Sequence, residues 1–314
     1  MEKKNFAEEI LKLKNEKNAI ILAHYYVDGE IQDIADFVGD SLALSQEAEK
    51  TKADIIVFAG VHFMAETAKI LNPSKKVILP DLEAGCSLAD SCPTLDFEKF
   101  VNENPDYLVI SYVNTTAEIK ALSDIICTSS NAKEIVDSLP LEQKIIFGPD
   151  KNLGNYINNQ TGRKMKLWNG ACHVHKDFSL SRILELKNEN PDAKIIAHPE
   201  CPNEVLLVSD FVGSTSALLK YTIKSGFDKF IVATESGILH QMKKANPDKV
   251  YIAAPPEDST CACNDCMYMK LNTMEKLYNS LKDEKPEILL SDTLIEKSYK
   301  SIKKMMDISK QLGL

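Results

Sequence analysis

Asn102-Glu103-Asn104-Pro105-Asp106, followed by an apolar strand ending in Ser111-Tyr112-Val113-Asn114, returns 86 residues later. There it reads Asn188-Glu189-Asn190-Pro191-Asp192, before a strand ending in Ala197-His198-Pro199-Glu200. Lys14-Asn15-Glu16-Lys17 opens a third copy, whose strand ends in Ala23-His24-Tyr25-Tyr26, and His24 stands 88 residues before Tyr112. A second marker keeps the same phase. Asp36-Phe37-Val38-Gly39-Asp40-Ser41 recurs 174 residues on as Asp210-Phe211-Val212-Gly213-Ser214-Thr215, with Asp124-Ile125-Ile126-Cys127-Thr128-Ser129 between them. Cys86 and Cys172 are 86 residues apart, and Cys261, Cys263 and Cys266 follow about one period later. A threefold repeat with one thiol per copy can bring three thiolates to one point, which is the geometry of a metal site.

The repeat sets the domain plan. A length of 314 residues suggests about two domains on length alone, but a period near 86 makes three units. That period lies outside the range of about 20–50 residues of solenoids, so each unit is a small α/β domain. The expected boundaries are 1–94, 95–178 and 179–266, with a C-terminal helical extension over 267–314. Within each unit an amphipathic helix comes first (Phe6–Glu16, Phe97–Glu103, Leu180–Glu189) and a buried strand follows (Ala19–Ala23, Tyr107–Ser111, Lys194–Ala197). Three shorter strands alternate with further helices. Short apolar strands alternating with helices predict parallel sheets covered on both faces. The expected fold is therefore α/β: three homologous three-layer α/β/α domains in pseudo-threefold arrangement around a central site. The sequence contains neither Gly-x-Gly-x-x-Gly nor a Walker motif, so a dinucleotide or P-loop reading has no support.

With 44% hydrophobic and 26% charged residues, the composition is that of an ordinary soluble protein. A net charge of −9 argues against nucleic acid or an anionic membrane as partner. Arg163 and Arg182 are the only arginines among 37 basic residues, so anion binding has to draw on backbone N–H groups and hydroxyls. Glu2 to Lys17 is charged, with a helical pattern and no apolar leader core, and no apolar run approaches the roughly 20 residues of a membrane span. The expected location is cytoplasmic. Eight cysteines in a reducing compartment point to metal or redox chemistry rather than disulfides.

Parallel α/β sheets bind ligands beyond the carboxyl ends of their strands. Three groups of candidates sit there. Cys86, Cys172 and one of Cys261, Cys263 or Cys266 suit a [4Fe–4S] cluster with one open iron, or zinc with an open position. An isolated cysteine is more often a small buried hydrophobe, but the shared phase argues against that here. Spacing from the fourth strand favours Cys261 as the third ligand and leaves Cys263 and Cys266 open. Cys92, Cys127 and Cys201 read as structural. The second group is the hydroxyls at Ser41, Ser129-Ser130 and Ser214-Thr215. They serve either as N-caps or as three helix N-termini turned to one anion-rich ligand. The third group is His24 with Tyr26 and His198 with Glu200. Their i, i+2 spacing puts each pair on one face in extended backbone, suited to acid–base work. His173 and His175 read as secondary to Cys172.

These motifs, together with Gly148-Pro149-Asp150, Trp168-Asn169-Gly170-Ala171-Cys172-His173-Val174-His175 and Thr234-Glu235-Ser236-Gly237, resemble the quinolinate synthase family over about residues 20–270. The resemblance implies a central [4Fe–4S] cluster. It implies condensation of iminoaspartate (iminosuccinate) with dihydroxyacetone phosphate to quinolinate, phosphate and water, in NAD biosynthesis. It further implies supply of iminoaspartate by L-aspartate oxidase or aspartate dehydrogenase. It selects Cys266, which begins Cys266-Met267-Tyr268-Met269, as the ligand beside Cys86 and Cys172. Met267 replaces the proline often found there, and Cys261-Ala262-Cys263 breaks the Cys-x-x-Cys-x-x-Cys pattern of some relatives. Catalytic roles fall to His24, Tyr26, Tyr112, His198 and Glu200. Substrate contacts fall to His24, Ser41, Tyr112, Val113, Asn114, Ser129, His198, Pro199, Glu200, Ser214 and Thr215. Two other classes compete: a zinc- or cluster-binding regulatory protein without turnover, and a binding protein for dicarboxylates or sugar phosphates.

Overall fold

Ile21-Leu22-Ala23 and Ile56-Val57 have no polar alternation, and none of these side chains has any exposed surface. Such runs belong in a sheet covered on both faces. The computed structural model describes residues 5–257 and 264–314, and among them twelve strands form three four-stranded parallel sheets. The first sheet holds β1 (Ala19–His24), β2 (Phe37–Gly39), β3 (Ile55–Ala59) and β4 (Lys76–Ile78), in the order β2-β1-β3-β4. The second holds β5 (Leu108–Tyr112), β6 (Ile125–Cys127), β7 (Ile145–Gly148) and β8 (Lys166–Leu167), in the order β6-β5-β7-β8. The third holds β9 (Lys194–Ala197), β10 (Phe211–Val212), β11 (Lys229–Ala233) and β12 (Val250–Ala253), in the order β10-β9-β11-β12. Helices flank all three, as the fold expected from the repeat requires. Strand order reverses between β1 and β3, β5 and β7, and β9 and β11. At such a switch point the covering helices diverge and a crevice opens beyond the strand ends.

The recurring aspartate has a structural task. Asp36 Oδ2 accepts the Ile21 N–H at 2.8 Å, Asp124 Oδ2 the Val109 N–H at 2.8 Å, and Asp210 Oδ2 the Ile195 N–H at 2.9 Å. In return each aspartate donates its own N–H to the carbonyl of the same residue, at 3.0, 2.9 and 2.8 Å. The second strand of each sheet is short, so this reciprocal clamp extends the ladder one step toward the amino end of the first strand.

The helix expected from Phe97 begins at Thr94, because Pro93 supplies the N-cap and proline is tolerated where no helical N–H is needed. The C-terminal region has helices at Met274–Asp283 and Asp292–Leu312, and it is not helical alone. Its 286–288 stretch adds an antiparallel edge to β4, with Ile288 N–H donating to Val77 at 2.8 Å and Leu79 N–H to Pro286 at 3.3 Å. The last helix buries Ile302, Met305 and Met306 where it packs on β6, on helix Ala117–Leu122 and on helix His62–Leu71. It thus bridges the first and second sheets.

Asp124→Ala should lower unfolding free energy by about 1 kcal/mol, the net value of one such hydrogen bond, read as a lower urea midpoint. Asp36 and Asp210 also pair with Lys14 and Lys194, so Asp124 tests the clamp apart from a lysine. An unchanged midpoint would leave the repeated aspartate without the role given to it here.

Candidate active site

The three switch points open on one cavity of about 680 Å³, counted to its mouth. His24 and Tyr26 reach it from the end of β1, Tyr112 and Asn114 from β5, and His198 and Glu200 from β9. Ser41, Ser129 and Thr215 line it from the ends of β2, β6 and β10. Cys86, Cys172 and Cys266, which follow β4, β8 and β12, line it as well. Val61, Phe63 and Met64 form an apolar wall. Of the residues expected from sequence, Val113, Pro199 and Ser214 are not among those lining the cavity. Val113 N–H makes a sheet-like bond to the Cys127 carbonyl at 2.8 Å, and Ser214 caps helix Thr215–Lys224.

Capping and lining are divided between neighbours. Asp40 caps helix Ser41–Lys50 through the Ala43 N–H at 3.1 Å, and Ser214 takes the Ala217 N–H at 3.3 Å. Asn131 opens helix Ala132–Asp137 and accepts the Thr128 N–H at 2.6 Å. The hydroxyls that line the cavity, Ser41, Ser129 and Thr215, are therefore not the capping groups.

The i, i+2 pairs meet, though not through extended backbone. The chain turns immediately after β1 and β9. In each turn the N–H of the third residue donates to the histidine Nδ1: Tyr26 to His24 at 3.2 Å, and Glu200 to His198 at 3.4 Å. A neutral imidazole whose Nδ1 accepts carries its proton on Nε2, and His198 Nε2 accordingly lies 3.2 Å from Ser129 Oγ. Burial lowers His24 to about 4 and His198 to about 3, so both rings are neutral at neutral pH.

Glu200 is the centre of the polar network. It is 2% exposed, yet both its oxygens are partnered. Tyr112 Oη donates to Oε1 at 2.6 Å, and His175 Nδ1 stands 3.1 Å from Oε2. Burial alone would raise its pKa; the facing His175 and the hydrogen bonds from His175 and Tyr112 oppose it, and the carboxyl is held below the usual range. From His175 the network continues through Nε2 to Thr234 Oγ1 at 2.9 Å, to Tyr26 Oη at 2.8 Å and to Thr215 Oγ1 at 2.7 Å. Burial keeps both tyrosine hydroxyls protonated, with pKa values well above normal.

Sequence reasoning places His175 in a secondary position and misses Thr234 and Asp150. His175 stacks on His198, with ring centroids 4.6 Å apart, and reaches Cys172 Sγ at 3.3 Å. Thr234 and Asp150 follow β11 and β7, so the strand-end rule itself would have found them. Asp150 Oδ2 accepts the Cys172 N–H at 2.8 Å, and burial followed by the Glu200 charge raises it to about 7. Glu235, also at the end of β11, accepts the Cys266 N–H at 3.3 Å and faces Lys270 Nζ at 3.2 Å.

The thiols fit a cationic group. Burial pushes Cys86 up to about 12, Cys266 up to about 11 and Cys172 well up; the Cys266 charge adds to the rise of Cys86, and the Glu200, Cys86 and Cys266 charges to that of Cys172. Three thiolates together stand only if a metal compensates them. Cys172, His175 and Glu200 also have ligand atoms within 4.8 Å of one another, a group able to hold a metal ion. Cys92 and Cys127 are buried elsewhere in the core, and Cys201 donates its thiol proton to the Ala233 carbonyl at 3.3 Å. Cys261 and Cys263 lie outside the described residues. Asn114 Oδ1, buried at the cavity, has no hydrogen-bond partner among the described residues, so a bound molecule would find an acceptor there.

The family profile described as quinolinate synthetase A protein matches residues 8–307. Similar curated relatives are the quinolinate synthases of Microcystis aeruginosa, 60% identical over 96% of this chain and 94% of the relative, and of Synechocystis sp., 61% identical with the same coverage. The quinolinate synthase of Chloroherpeton thalassium is 58% identical, again over 96% and 94% of the two chains. No helix among the described residues is long and apolar enough to cross a membrane. Matched almost end to end by one family profile and about 60% identical to its curated relatives, the chain belongs to the quinolinate synthetase A family of enzymes.

Proposed function

We propose that the chain catalyses the condensation of iminoaspartate with dihydroxyacetone phosphate to quinolinate, phosphate and water, for NAD biosynthesis, with a [4Fe–4S] cluster on Cys86, Cys172 and Cys266. The observation that carries the reading is the meeting of those three thiols with Glu200 in one cavity. A [4Fe–4S] cluster held by three cysteines keeps one iron free of protein ligands and, when bound, supplies a Lewis acid. On this reading iminoaspartate comes from L-aspartate oxidase or aspartate dehydrogenase.

The chain's own groups suit the remaining chemistry. Glu200 is ionised and desolvated, so it can take a proton from a carbon next to the triose carbonyl. Tyr112, hydrogen-bonded to Oε1, orients the carboxylate and leaves Oε2 on the side of His175. The path Glu200–His175–Thr234–Tyr26 offers a route for that proton across the cavity without solvent. His24 and His198, neutral with Nε2–H, donate to substrate oxygens. Ser41, Ser129 and Thr215 with the adjoining helix starts receive the carboxylates and the phosphate, which suits a chain with two arginines.

The zinc-binding reading has one observation of its own, the Cys172–His175–Glu200 group. It predicts a colourless protein without turnover, whereas the cluster reading predicts a brown, oxygen-sensitive enzyme.

Anaerobically purified protein should form quinolinate from iminoaspartate and dihydroxyacetone phosphate. Glu200→Gln should keep its cluster spectrum and lose about 100-fold or more in rate, the scale of a lost general base. Near-normal turnover by that variant moves the base to another residue, with His198 or Glu235 next to test. Ser129→Ala and Thr215→Ala should each weaken substrate binding by about 1.5–3 kcal/mol, one hydrogen bond to a charged group. Unchanged KM for both substrates in both variants would reduce the two hydroxyls to structural roles.

A further inference from the structure

Lys120 has no exposed surface, although it carries an ammonium group. A buried charge is costly unless it is compensated. Here the Nζ donates to the Thr115 carbonyl and stands 5.5 Å from the centre of the Phe63 ring, a cation–π distance. The carboxylate whose charge most favours it is Glu66, 5% exposed, on helix His62–Leu71 of the first unit, with Glu118 next. Glu66 also accepts the Ala117 N–H at 3.1 Å, at the start of the helix that carries Lys120. The same first-unit helix presents Phe63 and Met64 to the cavity.

The carbonyl that Lys120 holds belongs to the strap carrying Asn114. The last sheet bond of that strap runs from Val113 N–H to Cys127. Asn114 comes next, then Thr115, which folds the chain back through its N–H to Val113 at 2.8 Å and its hydroxyl to the Tyr112 carbonyl at 2.9 Å. Tyr112 is fixed by pairing with β6; Asn114 has passed that support. Its Oδ1 has no partner among the described residues.

We infer that Lys120, balanced by Glu66, is a positioning residue that sets Asn114 against the Phe63–Met64 wall for substrate binding. This rests on the reaction proposed above and deepens it. A neutral structural role would be met more cheaply by an apolar side chain, since replacing buried charges by hydrophobic groups is often neutral or stabilising. The ammonium's distinguishing contact is the carbonyl one residue beyond Asn114.

The test is a double-mutant cycle on the cluster-loaded enzyme, with quinolinate as the binding probe. Lys120→Met should raise the quinolinate Kd and the KM for iminoaspartate about tenfold, within the range that misplacing a contact produces, while kcat changes less than about threefold. Asn114→Ala should do the same, and the double variant should be no worse than the weaker-binding single one, because both remove the same contact. Ser301→Ala is the control. Ser301 Oγ donates to the Lys120 carbonyl, so this variant loosens the same helix without touching Thr115, and should lower Tm but leave KM alone. Wild-type binding by Lys120→Met, or additive effects in the cycle, would overturn the inference. Should Lys120→Met not fold, Glu66→Gln takes its place with the same two outcomes. A wild-type enzyme that forms no quinolinate overturns the proposed reaction and this inference together; one that forms it while the cycle is additive overturns the inference alone.

Discussion

A carboxylate removed from water has to find donors inside the protein, and Glu200 finds them across a boundary. Its own strand belongs to the third sheet, whereas Tyr112 and His175 come from the second unit. Leaving such a charge unpaired would cost several kcal/mol, so the second and third units are obliged to meet at this point. The first unit is tied in by the same network, through Thr234 and Thr215 on Tyr26. The polar centre and the assembly of the three units are thus one structure. The cavity exists because three switch points of the same topology face each other there, and each contributes what its own strand ends carry.

The three units share a frame and differ in chemistry. The frame is the sheet order and the aspartate clamp, which recur with nearly constant distances. The strand ends diverge: His24 and Tyr26 in the first, Tyr112 and Asn114 in the second, His198 and Glu200 in the third. One histidine device is kept in two copies, with the N–H two residues on closing over Nδ1 and leaving the proton on Nε2. In the second copy the site needs a hydroxyl on Glu200, and a tyrosine occupies the place of the histidine. Repetition fixes where functional groups stand, and substitution within the repeat decides what they do.

Much of this was legible because a repeat makes one strand prediction test another. The three sheets, the strand ends and the convergence of Cys86, Cys172, His24, Tyr112 and Glu200 all follow from phase. Cys266 did not. The spacing favoured Cys261, which lies outside the described residues, and only the family motif selected Cys266, which lines the cavity. His175 could not be ranked from sequence, since its importance comes from meeting Glu200 and Thr234 of another unit, a tertiary fact with no local signature. The same is true of Lys120 and Glu66, which nothing in the sequence sets apart from the other lysines and glutamates until burial is known. The turn after β1 also escaped the period-2 argument, because a ring accepting a backbone N–H bends the chain where extension was expected.

Iron and acid-labile sulfide per chain, measured anaerobically on the wild type and on all eight single Cys→Ala variants, test most directly whether three thiols of three units hold one cluster. Four irons and four sulfides are expected for a [4Fe–4S] cluster in the wild type and in the variants at Cys92, Cys127, Cys201, Cys261 and Cys263, with loss at Cys86, Cys172 and Cys266. A full cluster in Cys266→Ala together with its loss in Cys261→Ala or Cys263→Ala would contradict that ligand set. Stoichiometric zinc in place of iron would contradict the cluster itself.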